Sequence, residues 1–168
     1  MKQLRSLAAA LAAMAALAAL AACSASSSNV GIAVGNTAPA WSDPLSTGGE
    51  FTFASLRGSP VYLNFFATWC PPCNEEAPWI ETLQHRYGPR GLRIVGIDMQ
   101  ENALLAQRFR AKYRLTYPVV VDSGTLQDLY NINGLPVHVF IARDGTIRRL
   151  VVGEMAKSEI ESAVKSLL

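Results

Sequence analysis

Two cysteines lie three positions apart near the middle of the chain, at Cys70 and Cys73. At C-x-x-C spacing, two thiols can close a small disulfide or supply half of a structural zinc site. Of the three cysteines in the chain, only Cys23 is left over, so the sequence offers no second pair to complete such a zinc site. Residue type and spacing therefore favour thiol-disulfide exchange, with a stabilising clip or half a metal site as the alternatives.

The residues around the pair predict the elements that position it. An apolar run rich in β-branched and aromatic residues, 61–67, predicts a strand buried on both faces. Cys70 ends the loop after this strand, and a helix is expected over about 71–87, because Pro is tolerated in a first turn and Gly88-Pro89 stops the helix. A thiol at a helix N-terminus faces unpaired backbone N–H groups, so its pKa can fall from about 8.5 to between roughly 3.5 and 7.5.

This position gives the two cysteines different expected roles. Cys70 is the expected nucleophile, since it comes first and lies nearest the helix end and the solvent. Cys73, one turn further on, is the expected resolving thiol, which attacks the mixed disulfide that Cys70 forms with a substrate. Pro71 and Pro72 restrict the loop and remove two N–H groups that could have bound a thiolate.

The remaining pattern predicts a single α/β domain. The strand over 61–67, its helix and a strand over 92–99 form a parallel strand-helix-strand unit. Turn residues within 41–53 predict an N-terminal hairpin. The other predicted elements are a helix over 102–113, a strand over 118–121, helical turns over 126–130, a hairpin of strands 137–142 and 147–152, and a helix from 157 to the end.

The N-terminus has the layout of a secretory signal peptide. Lys2 and Arg5 precede an uncharged run of Ala, Leu and Met over 7–22. The residues Leu20-Ala21-Ala22-Cys23 resemble the bacterial lipoprotein box, which implies cleavage before Cys23 and a diacylglycerol on its thiol. A membrane-spanning signal anchor is the alternative, although the run is shorter than the roughly 20 residues that span a bilayer.

These features divide the chain into a signal peptide (1–22), a Ser-rich flexible tether (23–33) and a folded domain (34–168). Cleavage would remove 22 residues and two positive charges, leaving 146 residues and changing the formal net charge from +2 to 0. A chain without a basic excess gives no reason to expect nucleic acid as a partner.

From residue 34 to the end, the sequence resembles the TlpA/ResA-like thiol-disulfide oxidoreductases of the thioredoxin superfamily. The resemblance rests on ordered, correctly spaced motifs. They are Val34-Gly35-Asn36-Thr37-Ala38-Pro39, Leu56-Arg57-Gly58, the segment from Val61 through Trp69-Cys70-Pro71-Pro72-Cys73, Gly134-Leu135-Pro136, and Phe140-Ile141-Ala142-Arg143-Asp144-Gly145. It implies a thioredoxin-like fold, with a central mixed sheet flanked by helices, an N-terminal β-hairpin and an inserted helix-strand element within 101–130.

The resemblance also implies site residues around the cysteines. Leu135-Pro136 is expected to be a cis peptide facing the pair, where the backbone of Leu135 binds a substrate strand. Trp69 and Pro72 are expected to support the site, with Trp69 packed beside the disulfide or, alternatively, a plain core aromatic. Glu76 matches an acidic residue that is implied to affect cysteine ionisation and proton transfer, and a carboxylate that merely favours the helix dipole is the alternative.

Two further residues bear on this site. Asn64 occupies the place of a buried carboxylate in thioredoxin itself, which makes Glu76 the better candidate for proton handling. His138 stands two residues after Pro136, in a position often filled by Thr in this family. A histidine there could hold copper together with Cys70 and Cys73, since thiolates and imidazole suit that metal. A strand histidine with local hydrogen bonds is the alternative.

The function that the resemblance implies is disulfide exchange with cysteines of exported proteins, from a lipid anchor in the bacterial cell envelope. Reduction is the expected direction, for example of apocytochrome c, with electrons from a membrane donor of the DsbD/CcdA type. No cofactor beyond the Cys70-Cys73 disulfide and no metal is expected. A copper-binding protein and a thiol peroxidase are the alternatives, although peroxiredoxins need Thr three residues before the reactive Cys, where this chain has Ala67.

Overall fold

The structure is a computed structural model that describes residues 30–168. Five strands form a mixed sheet in the order β5-β4-β3-β6-β7, and β1 pairs with β2 in a separate hairpin. The strands are β1 (Ser42–Pro44), β2 (Glu50–Thr52), β3 (Val61–Phe66), β4 (Arg93–Met99), β5 (Val119–Asp122), β6 (Val137–Ile141) and β7 (Ile147–Val152). The helices are α1 (Pro71–Tyr87), α2 (Ala103–Tyr113), α3 (Thr125–Tyr130) and α4 (Lys157–Leu167), with short 3-10 turns at Phe53–Leu56 and Gly88–Arg90.

The unit that carries the cysteines is β3-α1-β4. The two strands are parallel and in register from Val61 opposite Arg93 to Phe66 opposite Asp98, which confirms the predicted crossover unit. All six residues of β3 are buried, as expected for a strand covered on both faces. Because only four residues, 67–70, separate the C-terminal end of β3 from α1, the N-terminus of α1 lies at the edge of the sheet where parallel strands end.

Side chains from alternate positions of the strands form two separate cores. On one face of the sheet, Tyr62, Phe66 and Phe140 pack with α1, α2 and α4. On the other face, Leu63, Phe65 and their neighbours pack with the N-terminal segment and α3. The sheet with helices on both sides confirms the predicted thioredoxin-like class, including the N-terminal hairpin.

The insertion between β4 and β6 contains α2, β5 and α3. Strand β5 extends the sheet at its edge through parallel pairing with β4. The buried carboxylate of Asp122 ends β5 and accepts hydrogen bonds from the backbone N–H groups of Gly124, Leu126 and Gln127. These bonds satisfy donors at the start of α3, so one side chain fixes the turn from strand to helix.

The N-terminal segment of the described chain lies along the turn between β6 and β7. Gly31 N–H donates to Thr37 O, Gly35 N–H donates to Ile147 O, and Ala38 N–H donates to Gly145 O. Residues 30–33, which the sequence assigns to the tether, thus already include a hydrogen bond to the domain. The predicted signal peptide and Cys23 lie outside the described residues.

Helix α1 has the predicted range and continues through Pro78, although Pro lacks the N–H that bonds to the preceding turn. Its first turn contains no acidic residue, because Glu75 and Glu76 lie beyond that turn. The alternative that Glu76 merely favours the helix dipole is therefore wrong, and its side chain is instead buried.

Within residues 30–168, none of the helices has the length and apolar character needed to cross a membrane.

Candidate active site

The two cysteines form a disulfide at the N-terminus of α1, with an S–S distance of 2.07 Å. Cys70 is the N-cap residue, and its Sγ accepts a hydrogen bond from the backbone N–H of Cys73 at 3.3 Å. Both residues are buried in this oxidised state, so solvent exposure does not separate their roles. Position at the helix end does, because a thiolate at Cys70 would accept the same N–H and face the positive end of the helix dipole.

Glu101 holds the loop that precedes the disulfide by accepting hydrogen bonds from Thr68. Its carboxylate accepts from the backbone N–H of Thr68 at 2.5 Å and from the Thr68 hydroxyl at 2.6 Å. Asp98, fully buried at the end of β4, has its pKa raised to about 8 by burial and by the neighbouring Glu101. The sequence marked neither acidic residue, because only the pairing of β4 with β3 places them behind the loop.

Asn74 ties the same loop to α2. Its amide nitrogen donates to the carbonyls of Thr68 and Cys70 at 2.9 and 2.8 Å. Its amide oxygen accepts from Lys112 Nζ at 3.0 Å and from the Tyr113 hydroxyl at 2.6 Å. Asn74 follows Cys73 directly, so a polar residue next to the motif was the only available signal for this role.

The Leu135–Pro136 peptide bond is cis, which confirms the expectation from the resemblance. Leu135 and Trp69, the residue before Cys70, both line an open cleft of about 350 Å³. The other lining residues are Met99, Gln100, Gln127, Ile132, Asn133 and Gly134. Trp69 is 70% exposed, so the alternative that it is a core aromatic is wrong. The cleft offers apolar surface and neutral amide groups to a bound chain.

Glu76 lies on α1 three residues after Cys73, on the same side of the helix, and is only 5% exposed. Its Oε1 accepts from the backbone N–H of Met155 at 2.9 Å, whereas Oε2 has no hydrogen-bond partner among residues 30–168. Burial raises its pKa from 4.5 to about 7, and the nearby Glu154 adds to the shift. Near neutral pH the carboxyl can therefore both take up and release a proton.

His138 is fully buried on β6 and lies between Glu76 and Tyr62. Its Nδ1 is 2.8 Å from the Tyr62 hydroxyl, and its Nε2 is 3.5 Å from Glu76 Oε2. Burial lowers its pKa from 6.5 to about 4, so the imidazole is neutral at pH 7. No three His, Cys, Asp or Glu side chains of the described chain converge as metal ligands, so the geometry gives the copper alternative no support.

Solved structures with a similar fold include proteins whose names describe disulfide exchange. A secreted Mycobacterium tuberculosis disulfide oxidoreductase, described as homologous to E. coli DsbE, is 30% identical with a TM-score of 0.70, covering 76% of this chain and 96% of that one. A DsbE-type thiol:disulfide interchange protein from Chlorobium tepidum is 29% identical with a TM-score of 0.75, covering 81% and 98%. With its C-x-x-C disulfide at a helix N-terminus, the chain is a thiol-disulfide oxidoreductase of thioredoxin fold.

Relatives in sequence narrow this class. ResA of Geobacillus kaustophilus, a thiol-disulfide oxidoreductase, is 33% identical over 137 residues, which cover 81% of this chain and 79% of the relative. ResA of Halalkalibacterium halodurans is 36% identical over 115 residues, covering 68% and 65%. The AhpC/TSA family pattern matches residues 34–150. The chain belongs to the AhpC/TSA family and, within the thioredoxin superfamily, to its ResA-like members.

Proposed function

We propose that the protein is a membrane-tethered reductase of the bacterial cell envelope that reduces disulfides in exported proteins. The observation that carries this proposal is the Cys70–Cys73 disulfide at the start of α1, beside a cleft lined by Trp69 and Leu135. A substrate chain in this cleft would lie within reach of Cys70. The lipoprotein-type N-terminus and the secreted relative support a location outside the cytoplasm.

The proposed reaction has two steps. The Cys70 thiolate attacks a substrate disulfide, one substrate sulfur leaves as thiolate, and a mixed disulfide forms. Cys73 then loses its proton to Glu76 and attacks Cys70, so that the second substrate sulfur leaves and the Cys70–Cys73 disulfide closes. Two electrons pass from the enzyme to the substrate, and a membrane donor of the DsbD/CcdA type would return them.

Apocytochrome c is the candidate substrate, because its haem attachment motif, C-x-x-C-H, closes a disulfide that must be opened before haem is attached. The test mixes the reduced protein with an oxidised C-x-x-C-H peptide and follows both partners by thiol alkylation and mass spectrometry. We expect the peptide to become reduced as Cys70–Cys73 becomes oxidised. If the equilibrium instead leaves the peptide oxidised at all ratios of the two proteins, the reductive direction is wrong.

A thiol peroxidase is the second candidate because the AhpC/TSA pattern matches this chain. Ala67 stands three residues before Cys70, where peroxiredoxins need Thr, and this substitution argues against the activity. Consumption of hydrogen peroxide by the reduced protein separates the two functions. We expect a rate no greater than that of an ordinary thiol.

A further inference from the structure

Three buried polar side chains form a row behind the cysteines. Glu76 comes from α1, His138 from β6 and Tyr62 from β3, and all three are at least nine-tenths buried. Strands β3 and β6 are antiparallel, with Tyr62 opposite Phe140, and directly opposed residues share a face of the sheet. His138 is two residues from Phe140 on β6 and so shares its face, which places Tyr62 and His138 on the same face of the sheet. Helix α1 packs over this face and contributes Glu76.

The tyrosine hydroxyl determines where the imidazole carries its proton. Burial raises the pKa of Tyr62 well above its ordinary value, so the O–H keeps its proton and needs an acceptor. His138 Nδ1, at 2.8 Å, is in the right place to accept it. A neutral imidazole that accepts at Nδ1 carries its single proton on Nε2.

The Nε2–H group then faces Glu76. Nε2 of His138 and Oε2 of Glu76 are 3.5 Å apart, and each lacks a hydrogen-bond partner elsewhere in the described chain. Leaving two such atoms unpaired costs free energy, and the cost is largest when the carboxyl is ionised. A charge-assisted N–H···O⁻ bond has a length of about 2.7–2.9 Å, so a small movement of either side chain would form one.

We propose that Tyr62 and His138 are positioning residues that direct an imidazole N–H at Oε2 of Glu76. This N–H stabilises the ionised Glu76 carboxylate before the carboxylate accepts the proton of Cys73. The inference rests on the proposed function, in which Cys73 is the resolving thiol. When Cys73 attacks Cys70, its proton passes to the Glu76 carboxylate, the mixed disulfide breaks and the substrate sulfur leaves with the electron pair. His138 neither gains nor loses a proton in this step.

The other charged and titratable groups near the row are few. Glu154, in the loop before α4, raises the pKa of Glu76. The backbone of Gly153 also lies near His138 and raises its pKa, whereas Arg149 of β7 lowers it further. Tyr117, which lies before β5, raises the pKa of Tyr62. None of these groups makes a hydrogen bond to Glu76 among residues 30–168, so His138 is the donor available to Oε2.

The test titrates Glu76 in the oxidised protein, where neither cysteine titrates. The Glu76 carboxyl carbon is followed by ¹³C NMR in wild type and in a matched pair of variants, His138→Gln and His138→Asn. A Gln amide can place its N–H near the position of Nε2, whereas an Asn amide reaches only as far as Nδ1. We expect the pKa of Glu76 to stay close to wild type with Gln and to rise by about one unit or more with Asn.

A second measurement determines the tautomer of His138. The ¹⁵N shifts of His138 in the wild-type protein report which ring nitrogen carries the proton, and we expect Nε2–H. Tyr62→Phe removes the hydroxyl that fixes this tautomer and should populate Nδ1–H.

An Nδ1–H imidazole in wild type, or an unchanged Glu76 pKa in His138→Asn, would overturn the inference. If the wild-type protein exchanges disulfides normally while either result is obtained, only the inference fails. If the wild-type protein exchanges no disulfide, the proposed function fails, whatever the titration gives.

Discussion

At the scale of single residues, the chemistry depends on which groups near the disulfide can hold or release a proton at neutral pH. The carboxyl of Glu76, with a pKa of about 7, is such a group, and it lies on the same side of α1 as Cys73. Glu75, its neighbour in sequence, is exposed and offers a matched control. Proton transfer by the buried carboxyl, rather than charge on the helix, should therefore control the resolving step.

Glu76→Gln keeps the shape of the side chain but removes its acid-base chemistry. We expect the rate of closure of the Cys70–Cys73 disulfide from a mixed disulfide to fall by about 10²-fold at pH 7, as is typical for loss of general acid-base catalysis. The variant should also lose the change in rate that wild type shows around pH 7. Stopped-flow kinetics over pH 5–9 measure both effects. Glu75→Gln should behave as wild type, and an equal loss in both variants would contradict a specific role for Glu76.

The opposite pKa shifts of Glu76 and His138 also predict how stability depends on pH. Burial raises the pKa of Glu76 from 4.5 to about 7 and lowers that of His138 from 6.5 to about 4. Between pH 4.5 and 6.5, the unfolded chain holds one proton on His138 and the folded chain holds one on Glu76. The pair therefore exchanges almost no net proton on unfolding in this range.

Substituting either residue alone should make the free energy of unfolding depend on pH, with slopes of opposite sign for the two substitutions. Relative to wild type, Glu76→Gln should lose stability as pH falls from 6.5 towards 4, because the unfolded His138 then takes up a proton. His138→Asn should lose stability as pH rises from 4.5 through 7, because the unfolded Glu76 then releases one. Each slope approaches about 1.4 kcal/mol per pH unit. Urea unfolding from pH 4 to 8 measures both, and slopes of the same sign would refute the assignment.

The disulfide between Cys70 and Cys73 at the start of a helix could be predicted from residue type and spacing, and the separate roles of the two cysteines stay a prediction. The resemblance pointed to Glu76 but left open whether it served the helix dipole. The row of Tyr62, His138 and Glu76 could not be predicted, because it joins residues up to 76 positions apart. Its existence depends on the register of β3 with β6 and on the face that α1 turns to the sheet.

At the scale of secondary structure, the disulfide loop is held by side chains from elements that follow it in sequence. Glu101, just before α2, accepts two hydrogen bonds from Thr68, and Asn74 links the loop to the end of α2. These contacts fix the start of α1, where the Cys70 sulfur meets a backbone N–H. The inserted segment therefore supports the site as well as extending the sheet.

Glu101→Ala should release this support. We expect a loss of about 1–3 kcal/mol in the free energy of unfolding, because Thr68 keeps a partly buried N–H and hydroxyl without their acceptor. The amides of residues 68–70 should also exchange faster with deuterium than in wild type. Glu75→Ala, on the exposed side of α1, is the control and should change neither. Equal protection of the loop in both variants would show that Glu101 does not hold it.

Most elements followed from sequence patterns with clear physical causes. The apolar run of β3, the stop at Gly88-Pro89 and the Asp144-Gly145 turn each predicted their element to within a residue or two. The predicted helix over 71–87 runs through Pro78 and is confirmed, although local propensity alone places a break there, and packing of buried residues such as Ala77 and Ile80 holds it. The exposure of Trp69 was not predicted, since an aromatic residue beside a buried strand is typical of a core.

At the scale of the whole molecule, the folded domain begins close to a predicted lipid anchor. If Cys23 carries a diacylglycerol, the protein should partition with membranes, and Cys23→Ser should move it to the soluble envelope fraction. Cell fractionation and mass spectrometry of the mature N-terminus measure both effects. Cys73→Ser, which leaves the lipobox unchanged, is the control and should stay with the membrane. Retention of Cys23→Ser in the membrane would favour an uncleaved signal anchor.

We propose that the Cys70–Cys73 pair catalyses disulfide exchange with other proteins. Trapping of the mixed disulfide tests this most directly, by expressing Cys73→Ser in cells, quenching with acid, and separating Cys70-linked species on non-reducing gels for mass spectrometry. We predict discrete complexes with exported, cysteine-containing proteins in Cys73→Ser, and none in the double variant Cys70→Ser/Cys73→Ser. The absence of complexes in Cys73→Ser, or their persistence in the double variant, would show that Cys70 does not exchange disulfides with these proteins.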